Sequence, residues 1–334
     1  MKAVVIDDLI QRIEKCVADH KLAPGCYARY LWNNPAGDRK MGKNEYGCAD
    51  AANILYTIGA FPTEPEERAA FVTCLQEMQE PDTGLFREHT HHPIHTTAHC
   101  TAALELFDAR PLYRAVALEP YTTREGLYGL LESDDVWVKA WPGSHQGAGI
   151  LPCLTNCGMV GLEWKNWYFD WMWEHSDPEL GFICFGEKRS PKLRDYMCGG
   201  FHYLFNHEAE HRPLRYPEKI IDFCLEMMTD YKTHELLGVR KACDFINIDI
   251  IYSVTRAMRQ TPHRFWECKA ALEKYAEDYL AVLYGIDYEK DESFNDLHML
   301  FGAVCALAEL QAALPGKILT TKPLKLVLDR RPFI

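Results

Sequence analysis

Two kinds of apolar pattern alternate along this chain. The first is an amphipathic stripe. Residues 5 to 20 place Ile6, Leu9, Ile10, Ile13 and Val17 on one helical face. The run from Pro217 does the same with Ile220, Ile221, Cys224, Leu225 and Met228. The second kind is apolar nearly all round and built from small residues. Ala49 to Pro62 (ADAANILYTIGAFP) and Ala98 to Pro111 (AHCTAALELFDARP) align without gaps, and Asp50 falls on His99 and Tyr46 on His95. A third copy covers His145 to Gly158, with His145 in the Tyr46/His95 place and Gly149 in the Asp50/His99 place. Asp195 to His207 with His202, Asp244 to Met258 with Asp249, and Asn295 to Leu310 with His298 continue the series. The corresponding positions 50, 99, 149, 202, 249 and 298 recur at close to fifty residues, the mark of one supersecondary unit per period.

Breakers and caps divide the rest. Inner helices are predicted from about Glu45 to Gly59 and from about Ile94 to Phe107. Thr63 with Glu66, and Thr122-Thr123-Arg124-Glu125, read as capping boxes that open outer helices to about Met78 and about Leu131. Residues 160 to 174 form an outer helix with Trp164, Trp167, Tyr168 and Trp171 on one face, and Thr261-Pro262 starts another to about Leu283. Asp82-Thr83-Gly84 is a turn, loosely repeated at Asp177 to Phe182, and the tail from Thr320 to Ile334 reads as an extended strap.

An inner helix that is apolar all round must be covered on every side. Closing hairpins of inner and outer helices into a ring achieves this, so the predicted fold is all-α, an α/α toroid of about six helical hairpins. The repeat runs through the chain without a Pro/Gly/Ser linker, which predicts a single domain over residues 1–334. Gln79, Asp82, Gly84 and Phe86 resemble the Gln…Asp-Gly-Phe turn of the terpenoid cyclase and protein prenyltransferase toroid superfamily, and His95, Thr97, Ala102, Ala103 and Leu104 continue the likeness on the next helix. The cyclases' Asp-rich motif has only a loose counterpart in Glu132-Ser133-Asp134-Asp135, and the transferases' Asp/Cys/His zinc pattern is not recognisable. Polysaccharide lyases and unsaturated-uronide hydrolases share the toroid, so fold alone does not choose a chemistry.

Composition narrows the partners. The net charge of −12 argues against nucleic acid and anionic membrane surfaces. The opening residues lack the apolar core of a secretory signal, and no apolar run reaches membrane-spanning length. The 13 cysteines form no CxxC pair and read as reduced, mostly buried thiols of a cytoplasmic protein. Neither a cofactor nor an oligomeric state follows from the sequence.

In a toroid the inner-helix N-termini open at one end of the cavity. This predicts that Tyr46, Asp50, His95, His99, His145, His202, Asp249 and His298 converge where helix ends favour an anion and keep imidazoles neutral. The leading expectation is therefore an enzyme on an acidic, uronate-containing glycan. In β-elimination His202 or His99 would be the base; Tyr203, Tyr46 or Tyr196 the acid; and Asn206, Asn53 or Arg194 would hold the carboxylate. In hydrolysis Asp50 and Asp249 would be the carboxylate pair. Trp137 and Trp141, in a loop before an inner helix, are candidates for stacking on a sugar, and His89, His91 and His92 form a loop that could line the mouth. His99, His202, His298 and Asp249 could alternatively hold a metal. An isoprenoid cyclase or transferase and a non-catalytic binding protein are the competing readings.

Overall fold

The computed structural model describes residues 1–186, 194–229, 245–330 and 333–334. The chain is all-α in its bulk. In order the helices are α1 (Asp7–Asp19), α2 (Glu45–Thr57), α3 (Pro65–Gln76), α4 (Pro93–Glu105), α5 (Arg124–Leu131), α6 (Asp134–Trp137), α7 (Ala140–Gly147), α8 (Ile150–Asn156), α9 (Leu162–Glu174), α10 (Arg194–Ala209), α11 (Pro217–Thr229), α12 (Phe245–Met258), α13 (Phe265–Gly285), α14 (Glu292–Asn295), α15 (Leu297–Ala313) and α16 (Val327–Arg330). Among the described residues four short strands accompany them: β1 (Val4–Val5) parallel to β4 (Ile318–Leu319), and β2 (Lys21–Ala23) antiparallel to β3 (Cys26–Tyr27). Among the described residues no helix is long and apolar enough to cross a membrane.

Two compact units divide the chain. The first comprises Met1–Leu75, Cys224–Thr255 and Arg264–Val327; the second comprises Gln76–Phe223, Arg256–His263 and Leu328–Ile334.

In the first unit α2 packs along α15. Both are buried almost throughout, as their small-residue composition requires. Asn44 starts α2 by accepting from the Tyr46 and Gly47 backbone N–H groups. Asp296 starts α15 by accepting from the His298 N–H, and its carboxylate also holds the buried Arg29 guanidinium at 2.8 and 3.0 Å. The helix starting at Leu297 is thus separate from the single turn containing Asn295, two residues later than the repeat alone suggests. On α1 the predicted stripe is the buried face, with Leu9, Ile13, Cys16 and Val17 inward. The Asp244 start of the fifth repeat lies outside the described residues, and α12 follows from Phe245.

In the second unit α7 packs on α10 and α4 on α8. The turn before α4 is a hydrogen-bonded frame. Gly84 N–H donates to Glu80 C=O at 2.8 Å, and Glu80 N–H donates to Leu85 C=O at 2.9 Å. Gly84 has φ +71, and a Cβ there would lie 2.0 Å from the Arg114 carbonyl oxygen, so only glycine fits. Gln79 ties the frame down, donating to the Gly84 and Tyr113 carbonyls and accepting from Tyr113 N–H. The looser copy at Asp177 to Phe182 forms the same frame: Gly181 N–H to Asp177 C=O and Asp177 N–H to Phe182 C=O, both 2.8 Å.

The third inner helix does not run unbroken from His145 to Gly158. It is divided into α7 and α8. Pro152 is the cause, because it has no N–H for the carbonyl four residues earlier and its ring crowds that carbonyl. That carbonyl, on Ala148, instead accepts from the Asn206 side chain at 2.9 Å. The neighbouring Gly147 carbonyl accepts from the Tyr168 hydroxyl at 3.0 Å. The capping box near residue 122 is shifted by one, with Thr123 as the residue that accepts from Gly126 N–H.

Candidate functional site

The second unit gathers histidines from three elements. His95 stands in the first turn of α4, His145 in the last turn of α7 and His202 in the middle of α10. One nitrogen of each lies within 4.8 Å of a nitrogen of the others. The ring centroids are 4.3 Å apart for His95 and His145, 5.4 Å for His145 and His202, and 6.0 Å for His95 and His202. His95 and His202 are buried, whereas His145 is partly open to solvent.

Ser144 sets the orientation of His202. Its hydroxyl donates to the Trp141 carbonyl at 2.5 Å, a local back-bond three residues along. With that proton committed, the Ser144 oxygen is left as an acceptor, so His202 Nδ1, 2.8 Å away, carries the hydrogen and donates to it. The lone pair of the ring is then on Nε2. An imidazole held by its far nitrogen in this way is the usual arrangement of a metal-ligating histidine.

Burial pushes the His202 imidazole down to about 3, with repulsion from His91 adding to it. Burial, and then repulsion from His145, His91, His202 and His99, pulls His95 well below the usual histidine range. His95 and His202 are therefore neutral near pH 7, and desolvation rather than the field of helix ends is the leading cause.

Two further groups join the cluster. His91 stacks on His95 with centroids 4.7 Å apart and lies 5.5 Å from His145. The buried Glu88 carboxylate is 3.7 Å from its Nδ1. Phe333, near the end of the tail, packs on His95 and His202 at 5.2 and 5.6 Å. His99 lies one turn along α4 from His95, with rings 6.3 Å apart, and is fully buried.

The other candidates of this unit fall into place around α7 and α10. Among the described residues the buried Tyr203 hydroxyl has no hydrogen-bond partner, and a Cβ at Gly147 would stand 2.3 Å from it. Trp137 is buried in a stack between Trp171 and Tyr203, at 6.1 and 6.0 Å, and its indole N–H donates to the Leu131 carbonyl at 2.6 Å. Trp141 is half-buried and sits one helical turn before His145, on the same face of α7. Asn206 is committed through its amide N–H groups to Ala148 and to the Tyr168 hydroxyl.

Tyr46, Asp50, Asp249 and His298 belong to the first unit. His298 Nδ1 faces both Asp50 carboxylate oxygens, at 3.1 and 3.0 Å, in a fully buried pair. Tyr46 meets His298 edge-on at 4.5 Å, and the Arg29 guanidinium lies over the Tyr46 ring. Asp249 is buried on α12.

Sequence reasoning placed His95 and His145 at one repeat position and His202 at another, with His99 and His298, and its candidate metal ligands were His99, His202, His298 and Asp249 rather than the set His95, His145 and His202. It missed Ser144 and Phe333. Ser144 precedes His145 directly and carries no motif, and Phe333 is remote in sequence. No family model, no curated protein and no solved structure matches the chain.

Proposed function

We propose that the chain is a metal-dependent enzyme of the lyase or hydrolase class that acts on an acidic carbohydrate, with a divalent transition-metal cation held by His95, His145 and His202. The observation that carries this reading is the convergence of three imidazole nitrogens within 4.8 Å, one ring being fixed by Ser144 so that Nε2 is free to ligate. Three nitrogen ligands leave an open coordination position for substrate or water, as catalytic zinc sites do. A uronate carboxylate is suited to that position: neutralising its charge makes the adjacent C–H more acidic, as β-elimination requires. In hydrolysis a bound water would take the same place. Trp141, half-buried one turn from His145, offers an aromatic face for a sugar ring. The reading includes an α/α toroid of about six hairpins, supported by the near-fifty-residue period of the sequence.

The test is turnover of acidic oligosaccharides by chelator-treated protein, followed as unsaturated product by absorbance and as new reducing ends. Activity that appears with added Zn²⁺, Mn²⁺ or Co²⁺ and is lost in His202→Ala supports the proposal. Turnover indifferent to chelation, or a His202→Ala enzyme as active as the parent, overturns it.

A further inference from the structure

The first unit contains a second donor set of different chemistry. Cys26 on β3, Cys48 in the second turn of α2 and Cys74 in the last turn of α3 bring their sulfurs within 4.8 Å of one another. Cys48 and Cys74 are 3.7 Å apart. A disulfide holds its sulfurs about 2.0 Å apart. Four ligands about 2.3 Å from a tetrahedral cation stand about 3.8 Å from each other, so the observed separation matches the edge of a metal–thiolate tetrahedron. We propose that Cys26, Cys48 and Cys74 form a binding site for a thiophilic divalent cation of the zinc class, separate from the histidine site and independent of the function assigned to it.

Three surrounding features suit that occupant. The Tyr27 backbone N–H donates to Cys48 Sγ at 3.4 Å, an outer-shell contact of the kind that stabilises a coordinating thiolate. Lys43 lies close enough to act electrostatically on both Cys26 and Cys74, and its ammonium offsets the excess negative charge of three thiolates on one divalent ion. Cys26 is only partly buried, which gives a cation a way in and leaves the fourth position to water or an exogenous ligand.

The experiment uses the full chain, reduced and stripped with chelator, titrated with Cd²⁺ and in parallel with Co²⁺. The readout is the ultraviolet thiolate-to-metal charge-transfer band. The expected result is a band whose plateau corresponds to one thiolate-bound cation per chain, which disappears in Cys26→Ser and in Cys74→Ser and persists in His202→Ala. Circular dichroism checks that each variant is folded, and the partly exposed Cys26 is the substitution that disturbs packing least. No band in the reduced wild-type protein overturns the site. So does a band that survives both cysteine substitutions.

Discussion

Ser144 has one hydroxyl proton, and the Trp141 carbonyl takes it; the tautomer of His202 follows from that one bond. Ser144→Ala leaves His202 without its anchor. The expected result is metal affinity lower by about 10–100-fold in a calorimetric titration, the usual cost of losing an outer-shell partner. Tyr203 makes the opposite kind of prediction. A buried hydroxyl without a partner costs stability on the order of 1–3 kcal/mol, so Tyr203→Phe should raise the melting temperature. If the hydroxyl serves the reaction, the same variant loses turnover, and measuring both separates a working group from a packing accident. At this scale the sequence was only partly readable. The histidines stood out by type and spacing, but whether an imidazole faces Ser144 or Asp50 depends on contacts across at least 58 residues of chain.

The elements were more legible. An inner helix from about residue 45 and another from about 94 appear as α2 and α4, because small-residue runs bounded by Asn44 and Pro93 fix both start and register. The third inner helix was harder to read. Its apolar pattern continues through Pro152, and only the absent N–H breaks the ladder. Asn206 compensates for that break, which makes the two positions energetically linked. Asn206→Leu should cost about 1–3 kcal/mol by leaving the Ala148 carbonyl unsatisfied. In a Pro152→Ala background the backbone can supply the missing donor. A double-mutant cycle read by urea unfolding should therefore show coupling of about 0.5–3 kcal/mol. The turn at Gly84 gives a simpler expectation. Gly84→Ala meets both a positive φ and the Arg114 carbonyl, so it should destabilise by at least about 2 kcal/mol and lower the melting temperature by several degrees.

For the whole molecule, buried neutral histidines outside the proposed donor sets make stability depend on pH. Burial pushes His207 down to about 4 and also lowers His20. In the unfolded chain both titrate near 6.5. Above that pH they are neutral in either state and contribute no dependence. As pH falls below about 6.5 the unfolded chain takes up protons that the folded chain refuses, so stability declines down to the folded-state value. For His207 the loss by pH 4 is on the order of 3 kcal/mol, and urea midpoints measured between pH 7 and 4 should fall monotonically. The helical period of the chain was visible at this scale, whereas the division into two compact units was not, since each unit draws on segments hundreds of residues apart.

The histidine-bound cation is tested by a metal titration of chelator-stripped protein alongside His95→Ala, His145→Ala and His202→Ala, with bound metal counted after dialysis. Each substitution should remove the same single equivalent while leaving the thiolate-bound equivalent in place. A parent protein that binds no metal beyond that held by its cysteines, or histidine variants with the stoichiometry of the parent, would contradict the histidine site.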